Sequence, residues 1–261
     1  MLRNAAGHVR RGRWVVDVTK SPRMDPGGLL LLKHTGVQLA RLGWEAYVRG
    51  EGDVMMMLSE NLEHFMRPKA ERAAPQRVGD YLLRGITSRD DMVGELEEWA
   101  KSVRTGTTAK DEHVALWQMQ ICEVTTNSFQ HCKAARTNIL IAGRAYSSAG
   151  VVQLAALDLG IGIARVIEKS STPIKKGFGD GDLLAHACKK GITSHCVPEN
   201  QGAGLDSLVN TVKKNEGGRL QILSNRGLFH VNTVREHSRN LAPKYGAGFD
   251  GTLTVVTLGI R

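Results

Sequence analysis

The chain has 261 residues, of which 41% are hydrophobic and 23% charged, so it can bury a core and form one large or two small domains. Lysine and arginine exceed aspartate and glutamate by 35 to 26, a net charge of +9, yet aromatic residues are too few, at 5%, for a nucleic-acid stacking platform. Its apolar runs are too short to cross a bilayer and no secretion signal follows the basic N-terminus, so we expect a soluble, cytoplasmic protein without a membrane partner.

The first third predicts a basic arm at 1–13 and a small α/β unit at 14–75. A strand is expected near 14–18, a helix from Pro26 to about residue 42 and a second strand at 45–48. Apolar residues at helical spacing then predict a helix over 54–66. The pattern indicates a βαβα unit.

The next segment, 76–110, is predicted to be a linker followed by an amphipathic helix. Ala, Pro and charged residues dominate 67–77, which is typical of a linker. Between 90 and 103, Met92, Leu96 and Trp99 recur at spacings of three and four, as on one face of a helix. A domain boundary is therefore expected near residue 75.

The remainder, 111–261, predicts one larger α/β domain. A long helix is expected over 111–132, and further helices at 182–189 and 205–214. Strands are predicted in two hairpins and one last segment: 137–145 with 151–157, 219–224 with 228–231, and 252–258.

The long helix carries three polar residues on one face. Glu123, Asn127 and His131 lie at i, i+4 and i+8, and so project from the same side. A carboxylate, a carboxamide and an imidazole in this row can polarise water, ligate a hard cation and donate to phosphate. The alternative is a solvated polar stripe, which would be favoured if the triple stood alone.

A carboxylate follows the apolar strand at 151–157 and precedes alternating glycines. Asp158 is suited to accept the exocyclic amine of adenine, while Gly160 and Gly162 let the backbone pass close to a flat ligand. Ile161 and Ile163 can face the ring. The alternative is a tight strand-to-helix turn in which Asp158 caps the helix.

A third element is a glycine pair at the start of a helix. Gly202, Ala203, Gly204 and Leu205 open the helix over 205–214. Free backbone N–H groups and the positive end of the helix make such a start an anion site, fit for a triphosphate.

Taken in this order, the three elements make residues 111–261 resemble the GHKL (histidine-kinase-like) ATP-binding fold. The segment from Glu123 to His131 is similar to its N box, in the form found in anti-sigma-factor kinases. The segments at 158–163 and 202–205 are similar to the two glycine boxes, and Gly251 with Thr252 to the terminal GT. The resemblance implies a two-layer α/β sandwich, the Bergerat fold, with a mixed sheet and helices on one face.

The resemblance also implies a role for each matched residue. Glu123 would orient and deprotonate the attacking water or hydroxyl, and Asn127 would bind Mg²⁺. Asp158 would hold adenine, with Gly162 leaving room for the base and a water. The other implied nucleotide contacts are His131, Gly160, Ile163, Gly202, Gly204, Leu205 and Thr252. Residues 170–201 would form a lid over ATP, from which Lys175 and Lys176 could reach the γ-phosphate.

The N-terminal unit is weakly similar to STAS domains, the anti-sigma-factor antagonists, through 15–18 and 24–29. Pro26 and Gly27 stand where those antagonists carry a phosphorylated serine, so a scaffold or docking surface is expected instead of a phosphate relay. Three functions stay open. They are a slow ATPase that signals to a protein partner or within a homodimer, a serine/threonine protein kinase, and an ATP-sensing scaffold; nucleic-acid binding rests on charge alone.

Overall fold

The computed structural model describes residues 13–17, 25–41, 45–49, 65–66, 81–86, 89–106, 109–131, 139–146, 148–170, 174–189, 204–241 and 249–260. The chain divides into two compact units, Met1–Val78 and Gly79–Arg261. Within the described residues, no helix is both long and apolar enough to span a membrane.

In its described residues, the smaller unit has parallel strands and one helix. Its elements are β1 (Arg13–Asp17), α1 (Pro26–Arg41), β2 (Glu45–Arg49) and β3 (Phe65–Met66). β2 pairs in parallel with both β1 and β3. The predicted strand, helix and strand are confirmed. The helix predicted over 54–66 is wrong at its end, because Phe65 and Met66 pair with β2, and residues 54–64 lie outside the described part.

Helix α1 begins where its sequence supplies a cap. The Asp25 carboxylate accepts the Gly28 N–H at 3.1 Å, which satisfies one of the free donors of the first turn. Pro26 is the first helical residue, a position that needs no N–H donor. Leu29 and Leu30 are fully buried at 1% and 0% exposure, so the first turn is anchored by packing as well as by the cap.

The larger unit consists of helices and strands, and its strands form an antiparallel sheet. Its elements are β4 (Tyr81–Ile86), α2 (Arg89–Gly106), α3 (Asp111–His131), β5 (Ile139–Tyr146), β6 (Val151–Asp158), α4 (Ile163–Glu168), α5 (Asp180–Ala187), α6 (Gly204–Lys214), β7 (Arg219–Asn225), β8 (Gly227–Asn232), β9 (Glu236–Asn240) and β10 (Phe249–Gly259).

Within the described part of this unit, seven strands form the sheet, in the order β4-β5-β6-β10-β7-β8-β9. Every described pair in this sheet is antiparallel. The expected mixed sheet is therefore wrong for the described strands. The physical reason is the connectivity: β5 with β6 and β7 with β8 are tight hairpins, which are antiparallel by construction, and β10 runs against both β6 and β7.

Helices and sheet bury one common core. The apolar face of α2, with Met92, Leu96 and Trp99, packs with inward residues of the strands such as Leu154 and Ile222. Buried residues of α3, α5 and α6 belong to the same core. The larger unit is thus an α/β structure in which these helices share a core with one face of the sheet.

The segment 76–110, predicted to be a linker and an amphipathic helix, contains the strand β4 and the predicted helix, α2. β4 pairs along its whole length with β5, and α2 contributes to the core, so both belong to the unit Gly79–Arg261. The alternation of β4 is weak, since Leu82 and Leu83 adjoin Arg84 and Gly85, and the strand was missed for that reason.

Candidate functional site

Three polar side chains stand in a row at one end of the large sheet. Asp158 on β6 is the cross-strand partner of Thr252 on β10, which in turn is the partner of Ser224 on β7. Cross-strand partners project from the same face of a sheet. All three are buried, with exposures of 7%, 4% and 0% respectively. A row of buried polar groups at a strand end is the feature around which the site is built.

The Asp158 carboxylate begins the glycine-containing turn that follows β6. Its Oδ1 atom accepts the N–H of Gly160 at 2.9 Å, a local bond that shapes the turn. Gly251, on the neighbouring strand, has φ +111°, and a Cβ there would lie 2.1 Å from the carbonyl oxygen of Asp158. Only glycine permits this approach, which brings Thr252 beside Asp158.

The hairpin end between β7 and β8 locks this turn in place. The Ser224 hydroxyl accepts the Ile163 N–H at 2.9 Å and donates to the Gly251 carbonyl at 3.0 Å. The Asn225 amide donates to the Ile161 carbonyl at 3.0 Å. Ser224 and Asn225 were not predicted as site residues. A serine and an asparagine at a hairpin turn are common in any sequence, and their partners are far away along the chain.

Gly162 lies close against the hairpin of β7 and β8. Its φ is +87°, and a Cβ added there would lie 2.4 Å from Asn225 Oδ1 and 2.6 Å from Ser224 Oγ. A side chain at this position would therefore meet protein atoms. That Gly162 leaves room for a base and a water stays a prediction. Gly162 is required because the turn packs tightly against the β7–β8 hairpin.

One residue from each glycine segment packs against the same apolar clusters. Ile163 and Leu205 are both half-buried, and both pack against the main core and a smaller cluster that contains Ala164 and Leu183. Ile163 is therefore a packing residue, whereas Ile161 next to it is 44% exposed. Gly204, the first residue of α6, is buried. Gly202 lies outside the described residues.

Helix α6 points its N-terminus toward the row at the sheet end. Asn215, just after its last turn, bonds both backbone groups of Gly259: its amide donates to the carbonyl at 3.3 Å, and its oxygen accepts the N–H at 2.6 Å. Gly259 pairs with Val151, at the opposite end of β6 from Asp158. Leu205, at the start of α6, packs in the same apolar cluster as Ile163, which follows the turn after Asp158, so Gly204 lies toward the Asp158 end.

Helix α3 runs antiparallel to α6. Its start lies at the Gly259 end, where His113 and Val114 line a small apolar cavity with Asn215 and Gly259. Its middle contacts α6, because the buried Gln120 donates to the Ser207 hydroxyl at 3.2 Å. α3 therefore continues from there toward the Asp158 end.

The predicted polar triple lies on this last part of α3. Glu123 follows Gln120 by about one turn and is exposed. Asn127 follows by about two turns, roughly 10 Å of helix, and His131 is the last residue of α3. The backbones of these positions are described, but the side chains of Asn127 and His131 are not.

Part of the expected lid is a packed element instead. In the described part of it, α5 buries Leu183, Leu184 and Ala187 in the two apolar clusters, so this helix is not a free flap. Its start is also tied to the β7–β8 hairpin, because the Asp180 carboxylate accepts the Arg226 N–H at 2.8 Å. Lys175 and Lys176 precede α5 and are exposed. Residues 190–201 of the expected lid lie outside the described part.

Two ionisable groups outside this site have shifted pKa values. Burial, together with His237 and Arg219, lowers the pKa of His230 on β8. Burial raises the pKa of the Cys188 thiol, aided by Glu236 and Asp206, so this free cysteine stays protonated. Among the described residues, no three His, Cys, Asp or Glu side chains are grouped as a metal site.

No family model matches this chain, and neither does any curated protein.

Proposed function

We propose that the unit Gly79–Arg261 binds Mg-ATP as a GHKL-type protein and hydrolyses it slowly, passing its conformational state to a protein partner or a second copy. The observation that carries the proposal is the row of Asp158, Thr252 and Ser224 at the sheet end, toward which α3 and the start of α6 both run.

The adenine would be held at the sheet end. An ionised carboxylate has only acceptors, and Asp158 is buried where little water competes, so a ligand amino group is the matching donor. Half-buried Gly160 and exposed Ile161 follow Asp158 on the turn. Glycine beside an apolar side chain suits a flat base.

The phosphates would lie at the start of α6. The first N–H groups of a helix of this length lack partners within the helix, and its dipole favours an anion at that end. Gly204 and Leu205 open this helix, and Leu205 packs in the same cluster as Ile163 beside the base site. The proposed base and phosphate positions thus adjoin the same apolar cluster.

Asn127 would hold Mg²⁺ through its amide oxygen, a ligand type that this hard cation accepts. The ion supplies charge neutralisation at the phosphates. Position 127 lies seven residues, about two turns, after Gln120, which bonds α6. His131, one turn further, would contact the nucleotide from the same helix.

Glu123 would be the base that orients and deprotonates the attacking group. Its carboxylate is exposed, so it can receive a proton from water. The same exposure gives access to a serine or threonine hydroxyl of a protein partner. This supports protein kinase activity as the second candidate function. A scaffold that binds ATP without turnover is the third alternative.

Titration calorimetry of the full chain with ATP in the presence of Mg²⁺ tests the binding. Saturable binding at one site supports the proposal, and heat no greater than buffer dilution contradicts it. Incubation with γ-labelled ATP then separates the activities: label released as free phosphate indicates hydrolysis, label on protein indicates a kinase, and unchanged ATP indicates the scaffold.

A further inference from the structure

The Ser224 hydroxyl is the meeting point of three groups. It accepts the Ile163 N–H at 2.9 Å, donates to the Gly251 carbonyl at 3.0 Å and lies 3.2 Å from the Thr252 hydroxyl. Its side chain has no solvent exposure, so its hydrogen bonds are confined to these neighbours.

This arrangement fixes the direction of each proton. A serine hydroxyl has one proton to donate and two lone pairs to accept. The Gly251 carbonyl can only accept, so it takes the Ser224 proton, and the Ile163 N–H can only donate, so it takes one lone pair. The second lone pair then faces Thr252, and Thr252 must be the donor of the 3.2 Å contact.

The position of the Thr252 proton determines which hydrogen-bonding groups the proposed site offers to a ligand. With its proton held by Ser224, the Thr252 oxygen is left as an acceptor, and its cross-strand neighbour Asp158 is an acceptor as well. The sheet end therefore presents two neighbouring acceptors. A purine edge with an amino group matches them, directly or through one water, whereas a 6-oxo group faces them with a third acceptor.

We propose that Ser224 is a positioning residue that orients the Thr252 hydroxyl and so selects a 6-amino purine over a 6-oxo purine. The inference rests on the proposed function, because it concerns the same nucleotide site. Removal of the Ser224 hydroxyl frees Thr252 to rotate and to donate its proton to an oxo group.

The test compares the affinities of ATP and ITP, which differ in this edge, for the wild-type chain and S224A by calorimetry with Mg²⁺. We expect the ratio of ATP affinity to ITP affinity to be about tenfold lower in S224A than in the wild type. This factor corresponds to the free energy of one neutral hydrogen bond. If Ser224 contributed only to folding, S224A would weaken the binding of ATP and of ITP equally. An unchanged preference for ATP therefore overturns the inference.

Asn215→Ala is the matched control. It removes two hydrogen bonds to one backbone residue, Gly259, at the opposite end of the sheet. Its ATP-to-ITP preference should equal that of the wild type, and a fall like that of S224A would overturn the inference by pointing to general loosening. Where S224A does not fold, Thr252→Val keeps the shape, and it should lower the preference to a similar extent; an unchanged preference overturns the inference here too.

The two proposals fail in different ways. A wild-type chain that binds neither nucleotide contradicts the proposed function and this inference with it. A wild-type chain that prefers ATP, beside an S224A variant with the same preference, contradicts this inference alone.

Discussion

Asp158 and Thr252 are direct cross-strand partners at the end of β6 and β10, and both side chains are buried. Their neighbouring strand carries Ser224, which bonds the turn after Asp158 and the backbone before Thr252. Segments distant in the chain thus converge on one small polar region, and the functional account depends on that convergence.

Asp158→Asn should lower the affinity for ATP at least about tenfold, because a charge-assisted acceptor is replaced by an amide whose NH₂ group opposes the adenine amine. The amide oxygen can still accept the Gly160 N–H, so the turn after β6 keeps this bond. Calorimetric titration measures the affinity. Wild-type affinity in this variant would remove Asp158 from the site.

Glu123→Ala should leave ATP affinity nearly unchanged and abolish phosphate release, because the carboxylate is assigned to proton transfer and not to binding. Glu112→Ala is the matched control, an exposed glutamate in the first turn of the same helix, and should turn over at the wild-type rate. The measurement is release of labelled phosphate at saturating ATP. Hydrolysis that survives the loss of Glu123 contradicts its assignment as base.

Gly162→Ala should destabilise the fold by about 2 kcal/mol more than Gly177→Ala. Both glycines have positive φ, +87° and +91°, so both changes strain the backbone. Only at Gly162 does the new Cβ also meet side-chain atoms, whereas Gly177 has open space around it. Urea denaturation of the two variants measures the difference. Equal losses would show that the hairpin does not pack against the turn as described.

The free energy of unfolding should decrease as the pH falls below about 6.5, in part through His230. Burial, His237 and Arg219 lower the folded-state pKa of His230 from its ordinary 6.5, so the unfolded chain binds its proton more tightly. Its contribution is complete above the unfolded pKa and is lost as the pH falls through the folded pKa. In His230→Gln the urea midpoint should change less between pH 7.5 and 5.5. An identical change in both chains would contradict this assignment.

Helices and strands could be predicted from the sequence where the local patterns are strong. The spacing of Met92, Leu96 and Trp99 predicted α2, and the apolar run ending at Leu157 predicted β6. β4 and β9 escaped prediction because neither alternates clearly; Glu236 and Arg239 of β9 are both exposed on an edge strand. The antiparallel arrangement of the sheet was not predicted either, because it depends on pairing between strands that are far apart in the sequence.

Only part of the candidate site could be predicted from the sequence. Asp158 and Thr252 were named from the sequence, and the structure makes them neighbours. Gly162 was also named, but its reason is packing against Asn225, a contact between residues far apart in sequence. Ser224 carried no local signal, since its importance arises from three partners that only the folded chain assembles.

A crystal structure of the chain with Mg²⁺ and a non-hydrolysable ATP analogue tests the central claim most directly. The account predicts the adenine amino group within about 3 Å of the Asp158 carboxylate, with the phosphates at the start of α6 and Asn127 beside them. An analogue bound elsewhere, or Asn127 and Asp158 lining no common cavity, would contradict it.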